Sequence, residues 1–439
     1  MLDLFALAGL LVTFALKVNP VLAMVPPSPA LKSGNPLPLR QSSDLSRYSF
    51  GLGAQGSEEP WIRVRLGNYL GGARANGQEV VCREGKILIG KSGVPNQQVR
   101  LDSPKGMGHS WHGRRYFGEF WVATDASLSA RKKGTSALGC LLINRVRLET
   151  YLASVLEAEF SSKWSSSAVD AQVIAARSYA LRRILDQKER KNSTWDVEQT
   201  VKDQVYNGIG EADSFALQKA SRAQAAVWRT RGRVLVGESG NGKNGLRPLR
   251  ALYHSTCGGR TSDPKSTWRQ EVRGIQPVVC GECGSSPKAK WRVELTEAEI
   301  LSALGLKFSG DLIRPLSNTS LPRRIERLEV MERGPEGRAL VLEVIPKDVN
   351  GNALRPIRFF ANGFREKVGT TRLPSTWFEI SGEFWDPKIQ QPRWILKGSG
   401  YGHGLGLCQW GAKTLGEKGA SAKEILVKYY PRARIQETY

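Results

Sequence analysis

Between residues 60 and 145 apolar and polar positions alternate in short runs, WIRVRLG, KILIG and RYFGEFWV, each broken by glycine, asparagine or proline. Period-two alternation is the mark of half-buried strands, so residues 59–145 are predicted to form a small β-rich region. At 146 the period changes. RLETYLASVLEAEF carries apolar residues at 148, 151, 152, 155 and 156, the stripe of an amphipathic helix. After the loop SSKWS, the run SSSAVDAQVIAARSYALRRIL predicts a second helix. Ser167 and Asp170 stand at capping-box spacing, and Ala171, Ala175, Ala176 and Ala180 keep the helix slim enough for close packing.

Further along, ADSFALQKASRAQAAVWRT predicts a helix and GRVLVG a strand. RRIERLEVMERGPEGRALVLEVI alternates on both sides of a Gly-Pro-Glu-Gly turn, as a hairpin does. SAKEILVKYYP reads as a helix capped by Ser421 and Glu424 and stopped at Pro431. Strands and helices mix without a βαβ repeat, so the fold class is α+β: mixed helices and short strands around a substrate groove, with a smaller β-rich N-terminal region. The main region spans residues 146–439.

The N-terminal run LFALAGLLVTFAL is apolar but short for a bilayer span. Val21 and Ala23 suit a cleavage site, so residues 1–23 read as a signal peptide or anchor. Proline and serine density makes 24–58 a linker. An exported protein of the periplasm or cell envelope is expected. With 64 Lys+Arg against 41 Asp+Glu, the 439-residue chain has a formal net charge of +23, which favours anionic partners. The basic residues are scattered in short clusters and no nucleic-acid module signature is present, so nucleic acid is not expected among them.

Three clusters carry candidate chemistry. Continuing the stripe 148, 152, 155 lands on Glu159, which places a carboxyl on an apolar helix face beside Phe160 and ahead of Trp164. Burial there would raise its pKa and make it a general acid; a solvated Glu159, or one paired with Arg177, is the alternative. HSTC at 254–257 and CGEC at 280–283 offer His-x2-Cys and Cys-x2-Cys, the ligand pattern of a closed structural zinc site at His254, Cys257, Cys280 and Cys283, with Cys408 a spare ligand. A disulfide stays open as the rival, since the six cysteines form an even set in an exported chain. Finally, GSGYGHGLGLCQWGAK places glycine at 398, 400, 402, 404 and 406. On an extended strand these would leave one face bare for a glycan or for another backbone.

LETYLASVLEAEF...AVDAQVIAARSYAL, DQVYNG at 203–208, YHSTCGGRT at 253–261 and GYGHGLGLCQWGAK at 401–413, in that order, resemble the stage II sporulation protein D family, which includes the LytB amidase enhancers. The resemblance covers residues 146–439. It implies a lytic transglycosylase acting on peptidoglycan glycan strands stripped of stem peptides, with Glu159 as the catalytic glutamate and no cofactor needed for the chemistry. It places Phe160 where most relatives carry methionine and Arg177 on an arginine needed for activity. Tyr179, Gln204, Tyr206, Tyr401 and His403 become candidate substrate contacts. A cell-wall amidase is an implied partner. Two other readings stay open: a non-catalytic amidase enhancer or wall-binding module of the same fold, and a basic protein that binds another polyanion.

Overall fold

In the computed structural model of the protein, the first alternating run becomes the strand Trp61–Asn68, which buries Ile62, Val64 and Leu66. It lies antiparallel to Cys140–Arg147, with Trp61 opposite Arg147. These are the middle strands of a five-stranded sheet in the order Val197–Glu198, Trp61–Asn68, Cys140–Arg147, Glu119–Thr124, Gln98–Arg100. The structure describes residues 58–439 apart from 84, 95–96, 104–107, 125–138, 191–192, 209–213, 239–244, 306–323 and 349. The expected leader at 1–23, and the linker except residue 58, lie outside the described residues. No helix among the described residues is long and apolar enough to cross a membrane.

The change of period at 146 is visible in the chain path. Cys140–Arg147 runs directly into helix α1, Leu148–Glu159, which buries Leu148, Tyr151, Leu152, Val155 and Leu156 as the stripe requires. Helix α2, Ser166–Glu189, is the central rod, with its five alanines buried. It packs on α1 and on α3, Ser214–Arg229. The capping box expected at Ser167 and Asp170 does not form. The helix starts two residues earlier, behind Ser165, and Asp170 instead pairs with Arg229 of α3 at 2.6 Å. The short helix α4, Pro264–Trp268, is capped by the Asp263 side chain.

The stretch 146–439 carries two apolar cores. The larger joins the N-terminal sheet to α1, α2 and the chain end, from Ile62 through Val155 and Ile174 to Tyr430. The smaller belongs to an insertion whose first strand, Trp291–Thr296, pairs antiparallel with its last, Gln391–Gly398, so that Trp291 faces Gly398 where the chain enters and leaves. Between them lie α5, Glu297–Ala303, the expected hairpin Arg324–Arg333 with Ala339–Lys347, and α6, Ala361–Val368. Leu295, Leu342, Val344, Phe364 and Leu396 fill this core. Helix α7, Gln409–Glu417, and α8, Ala422–Tyr429, close the larger core, and Ser421 with Glu424 forms the expected capping box.

Cys82 and Cys140 are disulfide-bonded across 58 residues, tying the strand Gln78–Arg83 to the central sheet. Closing a loop of that length in the unfolded chain is worth about 4 kcal/mol in the chain-entropy account. Cys82→Ser is therefore expected to lower the urea midpoint, with an unfolding free energy reduced by an amount approaching that figure, while a thiol count rises from four to five as Cys140 is freed. An unchanged midpoint would show that the bridge constrains nothing.

Candidate functional site

Glu159 is the last residue of α1, and Phe160 turns the chain out into extended backbone. Part of the residue reaches the surface, but protein packs closely about the carboxyl, and desolvation raises its pKa to about 7. The helix C-terminus, with its partial negative charge, also opposes ionisation. Two donors act the other way. The Val205 N–H donates to Glu159 Oε1, and the Tyr253 hydroxyl hydrogen-bonds the carboxyl. The direction of the second bond is set upstream. Tyr151 donates to Gln204 Oε1 at 3.0 Å, and Gln204 Nε2 donates to the Tyr253 oxygen at 2.9 Å, leaving the Tyr253 proton for Glu159. Alongside, Phe160, Trp164 and Trp410 stack edge to face at 4.6 and 5.2 Å. Gln409 holds the Glu159 carbonyl at 3.2 Å.

The other expected site residues divide between the acid's supports and its scaffold. Arg177 is fully buried and makes a two-pronged bridge to Glu149, at 2.9 and 2.7 Å, and also bonds the carbonyls of Thr230, Arg233 and Val227. Glu149 and Glu159 are ten residues apart on one helix, about 15 Å. Arg177 thus grips the opposite end of α1 from the acid and is paired to Glu149, not to Glu159. Tyr179 is likewise buried, not laid open for a sugar face, and donates to Asp203 at 2.6 Å, which Arg183 also holds. Tyr206 is buried against Tyr151 and Tyr116 and donates to Asn144 at 2.7 Å. Gln204 alone among the expected contacts joins the hydrogen-bonded chain to Glu159. Tyr253, the hub of that chain, was passed over because it adjoins HSTC, whose spacing drew attention to metal.

The glycine run is not an extended strand with one bare face. After Gly398 the chain alternates into left-handed backbone, φ being +81° at Gly400 and +84° at Gly404, and Tyr401 exchanges backbone hydrogen bonds with Thr256 at 2.8 and 3.0 Å. A β-carbon at Gly400 would lie 2.6 Å from the Thr256 carbonyl oxygen, and one at Gly406 would strike that of Leu252. What approaches the glycines is the 252–257 backbone. Between them Tyr253–His254 and Leu407–Cys408 form a short parallel pair. His403 accepts from the Leu405 N–H at 3.0 Å and bonds the Tyr253 backbone, with His254 and Trp268 against its ring. Burial, then the neighbouring His254 and arginines, push its pKa well down, so it is neutral. The ring is thus held in place by its neighbours while the residue stays partly exposed.

The same parallel pair assembles the cysteines. The sulfurs of Cys257, Cys280, Cys283 and Cys408 are buried and lie within 4.8 Å of one another, a group able to hold a metal ion. Cys408 takes the place expected for His254, whose Nδ1 instead bonds the Leu405 carbonyl at 3.0 Å. The donor set suits a tetrahedral ion, for which Zn–S distances near 2.3 Å put sulfurs about 3.8 Å apart. Cys257 and Cys283 are at 3.5 Å. The N–H groups of Cys257 and Gly259 point at Cys408 and Cys257 sulfurs, at 3.3 and 3.4 Å, as thiolates require.

Residues 137–236 match the family model described as stage II sporulation protein, and residues 284–406, which contain the insertion, match a domain of unknown function, DUF8618. A protein of Brachyspira hyodysenteriae that carries no functional name is 26% identical over 291 residues, 66% of this chain and 67% of the relative. The stage II sporulation protein D of Bacillus amyloliquefaciens is 25% identical over 303 residues, 67% of this chain and 76% of its own. The amidase enhancer of Bacillus subtilis is 25% identical over 310 residues, 64% of this chain but 39% of the enhancer.

Removing the Arg177 partner leaves a buried carboxylate unpaired. Arg177→Ala is accordingly expected to cost about 3–5 kcal/mol in denaturant unfolding, and to lower activity further in whatever fraction stays folded, because the start of α1 loses its anchor. Wild-type stability in that variant would return Arg177 to a direct chemical role.

Proposed function

Because residues 137–236 match the stage II sporulation protein model, we propose that the protein is a peptidoglycan lytic transglycosylase that cleaves the bond between N-acetylmuramic acid and N-acetylglucosamine in peptide-stripped strands. The observation that carries this reading is Glu159: a single enclosed carboxyl, poised near pH 7, with donors fixed on it. An ordinary glycosidase needs a second acid to act as nucleophile or to activate water. Of the other acids, Asp203 on the neighbouring loop is committed to Tyr179 and Arg183, and Glu149, at the far end of α1, to Arg177.

One carboxyl suffices when the substrate supplies its own nucleophile. Protonated Glu159 gives its proton to the glycosidic oxygen as the bond to C1 of the muramic residue breaks. The resulting carboxylate, held by Tyr253 and the Val205 N–H, takes the proton of the muramic C6 hydroxyl while that oxygen bonds C1. The products are a 1,6-anhydro end and a free N-acetylglucosamine hydroxyl, with no water consumed and Glu159 reprotonated. A pKa near the working pH suits a group that must donate and then accept.

The names of the relatives support a place of work in the cell envelope and an amidase as the partner that strips the strands. We assign zinc to Cys257, Cys280, Cys283 and Cys408. Four protein ligands close the site, so the ion would stabilise the fold and take no part in the chemistry.

Incubation with amidase-stripped strands should yield anhydro-muramic ends by mass spectrometry, and products carrying added water would identify a hydrolase. Glu159→Gln should lower turnover about 100-fold to 10,000-fold. In the wild type kcat/KM should fall as pH rises through about 7, where the acid loses its proton; a rate still rising at pH 9 would rule out this general acid. For the metal, Cys280→Ser should lower both the melting temperature and the zinc bound per chain in protein prepared without added metal. Zinc-free wild type with Cys280 and Cys283 recovered as a disulfide would end the assignment.

A further inference from the structure

Val205, whose N–H bonds the Glu159 carboxyl, also lines a pocket of about 400 Å3 whose walls come from two places in the chain. One wall is the loop 199–207, including Val205, whose N–H holds the Glu159 carboxyl. The other is a hairpin of the N-terminal β-rich region, His109–Trp111 with Arg114–Tyr116. The hairpin turns through His112 and Gly113, both left-handed at φ +48° and +72°, as a tight two-residue turn between twisted strands demands. Its position is fixed by Gly208. A β-carbon there would strike the Arg115 carbonyl and crowd the Tyr116 ring to 3.0 Å, so only glycine lets the loop that holds the acid close onto the hairpin.

The chemistry of the lining is selective. Trp111 is half-buried, with part of its surface open to the pocket. Arg114 is exposed and, among the described residues, bonds only the Asn207 carbonyl, at a long 3.5 Å. Among the described residues no acidic side chain lines the pocket, and Arg114 is its one lysine or arginine. An aromatic plane beside a lone guanidinium suits a sugar that carries a carboxylate.

We infer that this pocket is a glycan subsite in which Trp111 packs on a sugar face and Arg114 binds the lactyl carboxylate of N-acetylmuramic acid. The inference rests on the transglycosylase reading and adds to it a reason for preferring stripped strands. While the stem peptide is attached, the lactyl carboxyl is a neutral amide that leads into a bulky chain. Amidase cleavage turns it into a free carboxylate, the group that Arg114 can pair with in two-pronged fashion. Specificity for stripped strands then resides in a hairpin outside the matched sporulation domain.

The test uses the full chain carrying Glu159→Gln, so that strands bind without being cut, and measures affinity by calorimetry for three probes. These are stripped strands, peptide-bearing strands and chitohexaose, which has no lactyl group. Adding Arg114→Gln should weaken binding of stripped strands about 10-fold, bring it level with peptide-bearing strands, and leave chitohexaose unchanged. Trp111→Ala should weaken stripped strands and chitohexaose alike. Each variant is compared at matched melting temperature, and Arg114→Lys should recover part of the loss. Stripped strands bound equally with and without Arg114, or an equal loss for chitohexaose, would overturn the subsite while leaving the transglycosylase reading intact. If the Glu159→Gln chain binds none of the three probes, the glycan reading itself fails and the subsite goes with it.

Discussion

Two residues of parallel pairing, Tyr253–His254 against Leu407–Cys408, hold the chemistry of this protein together. A pair this short has little stability of its own and survives because its surroundings lock it. Leu407 donates to the Leu252 carbonyl at 3.0 Å, and the buried Tyr430 hydroxyl donates to the same carbonyl at 2.6 Å. Glycines at 400 and 406 let the backbones close to that distance. On one side of the seam Tyr253 reaches Glu159. On the other, Cys257 and Cys408 bring two of the four sulfurs together. Acid and cysteine cluster are therefore one construction, and disturbing the seam would disturb both.

The insertion bears on the same seam. It leaves the chain after Cys283 and returns at the glycine run, so its paired ends are anchored by the elements that carry the cluster. Arg338, just past the hairpin turn, is fully buried and donates to the Cys257 carbonyl at 2.8 Å. A β-carbon at Gly404 would lie 2.6 Å from its guanidinium carbon, so glycine is needed there to admit it. Burial lowers the Arg338 pKa to about 10, which still leaves it charged, and the neighbouring sulfurs work to keep it so. With zinc on four thiolates, the group would carry a net charge of −2. A fixed guanidinium beside it offsets part of the cost of burying that charge.

Periodicity made much of this legible. The switch from period two to the helical stripe at 146 located the sheet and α1, and extending the stripe found Glu159, because a polar residue on an apolar face is a local feature of sequence. Pairings across long separations were not legible in this way. Glu149 sits one residue into α1 and reads as an ordinary first-turn acid; only the packing of α2 shows that it receives Arg177. Cys408 was no more than a spare ligand because its neighbours in sequence carry no x2 partner. Its role comes from the parallel pair, which brings it beside Cys257 across 151 residues. The glycines were read as a bare strand face, since alternation with period two does not distinguish extended backbone from alternating left-handed turns.

The arrangement also ties the candidate acid to residues that do not touch it. Helix α1 is a rod gripped at its start by the Glu149 bridge to Arg177 and presenting the acid at its end. Rotation about the helix axis there would swing Glu159 off the Val205 N–H and the Tyr253 hydroxyl, whose bonds depend on distance and direction to within tenths of an ångström. Tyr179 acts on the other partner. By holding Asp203, which in turn accepts the Glu198 N–H at 2.9 Å, it fixes the loop that carries Gln204 and Val205. Arg177 sets where the carboxyl points and Tyr179 sets where its donors stand. Neither side chain bonds Glu159, and each bears on it through the helix or loop it holds.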